Sequence, residues 1–358
     1  MRSISNEPAF SAMTVPFWKL LRVFRQMRRK VPTFVSFNVA NRCNEACPMC
    51  AVWREPGPEL PLPELERIFA DLRRFGLLVV EVSGGEPFLR PDIFAIFALL
   101  DRLGYLYTTT TNGTIVTGEI LQGLRQARGL LQLAVSLDSL DRQCYARLRG
   151  KDLLPQVLVN LDTLAAARLP RPVKLNQTVS RHNFRETLAL LRFAGERGWY
   201  LSAFPVNTGD GFAHRAADPL YEATAAEREE MAALFRELAR RRRAGEPLWE
   251  YSGFYDLAAD YVLGRGNAPC DAGQLYLDLR ADGKLAACVD QPAFADLSRE
   301  SVAAAWPRLA GQRERLDRCA GDTPCCYTCT ANVSLTARHQ LPFLLETFRM
   351  RRRHYRRR

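Results

Sequence analysis

No stretch of this sequence approaches the roughly eighteen uninterrupted apolar residues that a membrane-crossing helix needs, so the chain is not expected to span a bilayer. Its first residues, MRSISNEPAF, lack the apolar run and small-residue cleavage site of a signal peptide. Ten cysteines among 358 residues are too dilute for a secreted disulfide scaffold, and a reducing cytoplasm is the expected setting. Internal repeats beyond a strand-helix period are missing, and low complexity is confined to an arginine-rich tail. The body also lacks net basic charge. Of the total of +11, +6 falls in residues 1–30 and +7 in residues 349–358, which leaves residues 31–348 at −2. A nucleic-acid-binding protein would spread basic residues over its folded body, so nucleic acid is not the expected partner.

What is present is a globular α/β pattern. A hydrophobic content of 47% supplies a full-sized core. From Pro32 to about Tyr200, short β-branched and aromatic runs alternate with segments of helical period, which predicts six βα units around a parallel sheet. The expected strands are Thr33 to Val39, Leu77 to Val82, Leu106 to Thr110, Leu131 to Leu137, Val173 to Val179 and Leu201 to Pro205. The expected crossover helices are Leu62 to Phe75, Ile93 to Leu103, Leu154 to Ala167 and Arg185 to Arg197. A charged helix over Ala223 to Arg243 closes this part. Beyond it the composition shifts to aromatic residues and then cysteines, with a hairpin signal at Ala281-Asp282-Gly283. The expected organisation is an N-terminal basic helix over 1–30, a core over 31–245, a small α+β domain over 246–340 and a tail over 341–358.

The first strand runs out into Cys43-Asn44-Glu45-Ala46-Cys47-Pro48-Met49-Cys50, three cysteines spaced C-x3-C-x2-C. A four-iron cube ordinarily takes four thiolates, so three on one loop leave one iron open to another ligand. A zinc loop would want a fourth Cys or His nearby. The second strand ends in Ser83-Gly84-Gly85-Glu86-Pro87, where two glycines allow backbone approaches that a side chain forbids. Thr111-Asn112-Gly113 follows the third strand, and Ser136-Leu137-Asp138 ends the fourth. Taken alone these read as a turn and a helix cap. Cys144 stands apart from the other cysteines and reads as a small core residue.

The cysteine spacing after a first strand resembles the signature of the radical S-adenosylmethionine (SAM) superfamily, over about residues 33 to 335. The resemblance implies a partial (β/α)6 TIM-like barrel in which Cys43, Cys47 and Cys50 hold a [4Fe-4S] cluster and SAM chelates its fourth iron. It further implies that the loop Gly84-Gly85-Glu86 binds the methionine ammonium. Ser136, Asp138 and Asn112 would approach the cofactor's polar groups, Arg149 would reach its carboxylate, and Asn176 and Ser180 are candidates of the same kind. The aromatic residue usual before the last cysteine is here Met49, whose polarizable thioether can also lie on an adenine ring. A reductant such as flavodoxin or ferredoxin is an implied partner.

Downstream stand Cys270, Cys288, Cys319, Cys325, Cys326 and Cys329, with C-x12-G-x4-C from Cys270 through Gly283 to Cys288 and C-x2-C from Cys326 to Cys329. This resembles the SPASM domain or its shortened twitch form. Six thiols cannot complete two four-cysteine cubes, so one auxiliary [4Fe-4S] cluster is expected, on Cys270, Cys288, Cys326 and Cys329, with Cys325 as the nearest substitute and Cys319 as a remnant. A structural zinc on the same residues is the alternative.

The ends add a last reading. Phe17, Leu20, Leu21, Phe24 and Met27 share one helical face flanked by basic residues, which fits an anionic membrane surface at its inner face or packing against the barrel. Hydrogen abstraction from a lipid or membrane-associated substrate is therefore expected first, and from a peptide or sugar-like metabolite second. A zinc-stabilised RNA-binding module is the non-enzyme alternative.

Overall fold

Each of the six runs expected to be extended is a strand in a computed structural model of the chain, which describes residues 17–54, 57–207, 221–265, 268–312, 316 and 325–355. They are β1 (Phe34–Ala40), β2 (Val79–Gly84), β3 (Leu106–Thr111), β4 (Leu130–Ser136), β5 (Val173–Val179) and β6 (Tyr200–Pro205). All pair in parallel in the order β6-β5-β4-β3-β2-β1, so every unit steps one place along the sheet, which curves into a partial barrel without closing. One face is apolar: Val35, Phe37, Val80, Val82, Leu133, Val135 and Leu175 are buried under the helices. Helix α2 (Leu62–Arg74) shows why the helices settle there. Leu65, Ile68, Phe69 and Leu72 recur three and four apart and are all buried, each worth about 1.5–3 kcal/mol of transfer free energy.

Helices α3 (Ile93–Arg102), α4 (Gly118–Gln126), α5 (Arg142–Arg149), α6 (Leu154–Ala167), α7 (Thr187–Glu196) and α8 (Ala225–Arg243) follow in turn. Two of them, α4 and α5, lay outside the expected set. Both are of two turns or so and are fixed by caps, Thr117 accepting from Ile120 N–H and Asp141 from Cys144 N–H, rather than by a long apolar period.

Beyond α9 (Ser252–Val262), the predicted hairpin is formed by β7 (Tyr276–Leu279) and β8 (Lys284–Ala286), with β9 (Ala295–Asp296) beside it. Its strands join the main sheet, because β7 pairs in parallel with β1 and covers what would otherwise be an open edge. The short α10 (Val302–Ala305) and α11 (Val333–Arg338) precede the last helix, α12 (Gln340–Tyr355).

Helix α1 (Phe17–Arg28) lies at the amino ends of the strands, where Val23 and Met27, with Leu20 and Phe24, pack on Leu78, Val79 and Leu106. This corrects the expectation of a lipid-facing surface made by Leu20, Phe24 and Met27, since those residues close the barrel bottom. Leu21 and Trp18 are exposed. The Phe17 side chain, and residues 1–16 of the expected N-terminal segment, lie outside the described residues. The tail docks beside α1, with Phe343 6.3 Å from Phe24 between ring centroids and Gln340 donating to the Phe24 carbonyl. Buried Arg242 anchors it by donating to the carbonyls of Glu250 and Glu346 and to Thr347 Oγ1. No helix among the described residues is long and apolar enough to cross a membrane.

Candidate active site

The three-cysteine loop leaves the carboxyl end of β1, the end at which parallel barrels place their chemistry. Cys50 N–H and Trp53 Nε1–H both donate to the Cys47 carbonyl at 3.1 Å, which folds the loop back on itself. Cys47 is buried; Cys43 and Cys50 are half-buried. Burial pushes all three thiols up, Cys43 to about 11, so the loop ionises them only if a cation supplies the missing charge. Among the described residues no group of three or more Cys, His, Asp or Glu stands gathered as an ion-holding cage. The fit to an iron-sulfur cluster therefore rests on the donor set: three soft thiols on one loop, with a glycine pair opening the backbone beside them.

That glycine pair is tightly placed. Gly84 has φ 124°, and Gly85 N–H donates to the Ala40 carbonyl at 2.6 Å while Glu86 N–H donates to Arg42 at 2.8 Å. A Cβ on Gly85 would stand 2.0 Å from the Arg42 carbonyl oxygen, so any side chain there would displace the strand that feeds Cys43. Glu86 is fully buried and spends both carboxylate oxygens. Oε1 accepts from Phe88 N–H and Thr111 Oγ1–H, and Oε2 accepts from Asn112 N–H at 2.7 Å. Burial holds its carboxyl up at about 7. Asn112 in turn donates through Nδ2 to Asn44 Oδ1 at 2.7 Å and faces Cys43 Sγ at 3.9 Å. Glu86 and Asn112 thus brace the cysteine loop from behind.

A second brace had no sequence signal beyond a polar residue inside C-x3-C. Glu45 is buried, accepts from Tyr145 Oη–H at 2.5 Å and from Arg149 Nη1 at 3.4 Å, and lies 3.7 Å from Cys47 Sγ. The same guanidinium stands 2.8 Å from Asp138 Oδ2, and Asp138 Oδ1 accepts from Thr178 N–H. Arg149 also offers its carbonyl to Ala46 N–H. Burial works against its charge, but Asp138 and Glu45 hold the guanidinium well above its ordinary range. The arginine expected to meet a cofactor carboxylate is therefore engaged by two carboxylates of the protein.

Ser136 and Asn176 are half-buried neighbours in register on β4 and β5, and Asn176 Oδ1 has no donor. Ser180 is spent on Asn183. Met49 packs beside Leu148, Val206 and Tyr221, as does Cys144, whose thiol burial pushes up to about 11.

Of the later cysteines, Cys270, Cys288 and Cys329 form one electrostatic neighbourhood. Burial pushes the Cys288 thiol up, and nearby Cys329 and Cys270 raise it further. Cys329 lies on a π-helical turn, Thr328–Asn332, and is influenced by Glu81 and Cys325, with Tyr276 hydrogen-bonded to it. Cys326 is different. It is fully buried in the apolar core, its N–H donates to Asn207 Oδ1 at 2.8 Å, and its charge neighbour is Cys325. Cys319 lies outside the described residues.

Residues 37–194 match the radical SAM superfamily. The AdoMet-dependent heme synthase of Methanosarcina barkeri is 31% identical over 186 residues, 50% of this chain and 52% of that one. The GTP 3',8-cyclase of Ectopseudomonas mendocina is 35% identical over 180 residues, 48% and 53% of the two. The chain thus spans about half the length of these curated relatives. Among solved structures, SuiB of Streptococcus suis bound to its precursor peptide SuiA has the same fold, with a TM-score of 0.63 at 16% identity over 83% of this chain and 70% of that one. The β1 exit carrying three thiols, braced from β2, β3 and β4, lies within the matched residues, so residues 37–194 of this chain carry a radical SAM domain.

Proposed function

We propose that the chain abstracts a hydrogen atom from a polar substrate held in the barrel, using SAM and a [4Fe-4S] cluster on Cys43, Cys47 and Cys50. The observation that carries this is the loop of three thiols at the carboxyl end of β1, fixed from behind by Glu86 and Arg149. Bound there, the cluster would supply the electron for reductive cleavage of SAM. The chain's own part is positional. Gly84 and Gly85 keep the backbone close to the loop, Ser136 faces the cofactor from the inner wall, and Asn112, Asp138, Glu86 and Arg149 hold the loop rather than the ligand.

A second cube would sit on Cys270, Cys288 and Cys329, and the electrostatic neighbourhood favours Cys325 over Cys326 as the fourth ligand. A twitch-like segment of this kind favours oxidation as the outcome, because it offers a place for the electron left on a substrate radical. The test is anaerobic reconstitution, reduction with dithionite and incubation with SAM. About eight irons per chain and 5'-deoxyadenosine are the expected result. Zinc in place of iron, or no 5'-deoxyadenosine from the loaded protein, overturns the reading.

The ends support a separate docking role on an anionic surface. Trp18 and Leu21 on α1 and Leu341, Leu344, Leu345 and Phe348 on α12 are exposed beside the arginines of both helices. This surface lies at the amino ends of the strands, opposite the cysteine loop, so docking would turn the mouth away from the bilayer and gives no support to a lipid substrate. Co-sedimentation with anionic vesicles at low salt, lost at high salt and in the Phe348→Glu variant, is the expected result. Equal binding by that variant would remove this role.

A further inference from the structure

The inner face of the sheet carries two charges, Glu81 and Lys174, for which no ion pair stands among the described residues. In register across it, Asp278 on β7, Ser36 on β1, Glu81 on β2, Thr108 on β3 and Gln132 on β4 form one row. Lys174 on β5 pairs with Ala134, two residues beyond Gln132 and so on the same face. Glu81, Ser83, Thr108, Thr110, Asn176 and Thr178 are all half-buried, whereas the outward residues between them are closed off beneath the helices. The concave surface is thus open and almost wholly polar.

A third charge on it, Asp278, lies 3.9 Å from Arg280. The Glu81 side chain makes no hydrogen bond or ion pair among the described residues, and the cation acting on it is Lys174. Lys174 Nζ lies 5.5 Å from the centre of the Trp249 ring, and the acids acting on it are Glu250 and Glu81. Glu250 is already engaged, accepting from Ser202 Oγ–H at 2.5 Å and Tyr255 Oη–H at 2.9 Å. Burial holds the Glu81 carboxyl above and the Lys174 ammonium below their ordinary ranges, a cost that a ligand of complementary charge removes. Beside them, Gln132 Oε1 and Asn176 Oδ1 are buried acceptors with no donor. Glu81 also lies within electrostatic reach of Cys329, so this surface borders the C-terminal cysteines.

We propose that Glu81 and Lys174 are the substrate-specificity pair of this barrel: Glu81 accepts from a hydroxyl or ammonium group of the substrate, and Lys174 holds its carboxylate or phosphate. Gln132 and Asn176 take further donors. The substrate is accordingly a polar anion-bearing molecule, since an acyl chain would strip water from both charges and return nothing. This rests on the proposed radical SAM activity.

The experiment keeps the two apart. Reconstituted wild-type enzyme with SAM and dithionite is assayed for 5'-deoxyadenosine alone, which tests the underlying activity. It is then assayed with the anion-exchange-retained fraction of a water-soluble cell extract, with the unretained fraction, and with a chloroform-methanol lipid extract. Stimulation by the retained fraction is the expected result. The Glu81→Gln and Lys174→Met variants should each need about tenfold more of that fraction for half-maximal stimulation, the usual scale for one charge-assisted hydrogen bond. Glu81→Asp and Lys174→Arg should recover part of the response, while iron content and the melting midpoint show that each variant is folded and loaded. Stimulation by the lipid extract, no stimulation by the retained fraction, or variants that respond as the wild type does would each overturn the proposal.

Discussion

Cys47→Ala is expected to abolish 5'-deoxyadenosine formation, lowering it by at least about a thousandfold toward background, while the protein stays folded and keeps about four of the eight irons expected for two cubes. Cys47 is the buried member of the three and the residue around which the loop is folded, through its carbonyl rather than its thiol. An alanine keeps the carbonyl and both hydrogen bonds to it. What is removed is one thiolate of three, and two thiolates do not retain a cube with an open iron. Iron analysis and anaerobic activity on the same sample separate the outcomes. Retained activity would remove the cysteine loop from the chemistry, and loss of all iron would mean that the two cysteine groups are not independent.

Arg149→Ala should be the most destabilising single change at the site, costing about 3–5 kcal/mol, because it leaves Glu45 and Asp138 buried without their shared cation. In a chain of 358 residues that lowers the melting midpoint by about 2 °C or less per kcal/mol. The pH dependence has a defined sign. Burial already holds the Asp138 carboxyl above its ordinary range, and the Arg149 charge opposes that rise. Without the arginine the folded state favours the protonated acid more strongly, and the stability that protonation supplies is lost as the pH rises through the higher folded value. The deficit should therefore be larger at pH 8 than at pH 6 in urea unfolding. A change below 1 kcal/mol, or one independent of pH, would show that the two acids find other partners. A parallel fall in iron at the cysteine loop is expected, since Arg149 also holds Ala46 through its carbonyl.

Much of this was legible in the residues themselves. The strands, the hairpin at Ala281-Asp282-Gly283 and the three-thiol loop are local: each depends on side-chain period, turn chemistry or spacing within about ten residues, and neighbouring residues in a chain cannot separate. What the sequence could not show is what each group would meet. Glu86 reaches Asn112 N–H and Arg149 reaches Glu45, 26 and 104 residues apart, and those meetings brace the cysteine loop. The pairing of β7 with β1 likewise follows from a free sheet edge that exists only once the barrel has formed. Period two puts Glu81 and Lys174 on one face of the sheet, but only its curvature makes that face the inside of the barrel, where burial acts on both charges. Local sequence sets which face a side chain takes. Long-range packing decides whether that face meets water, apolar core or another charge, because those neighbours come from distant parts of the chain and are fixed only by folding.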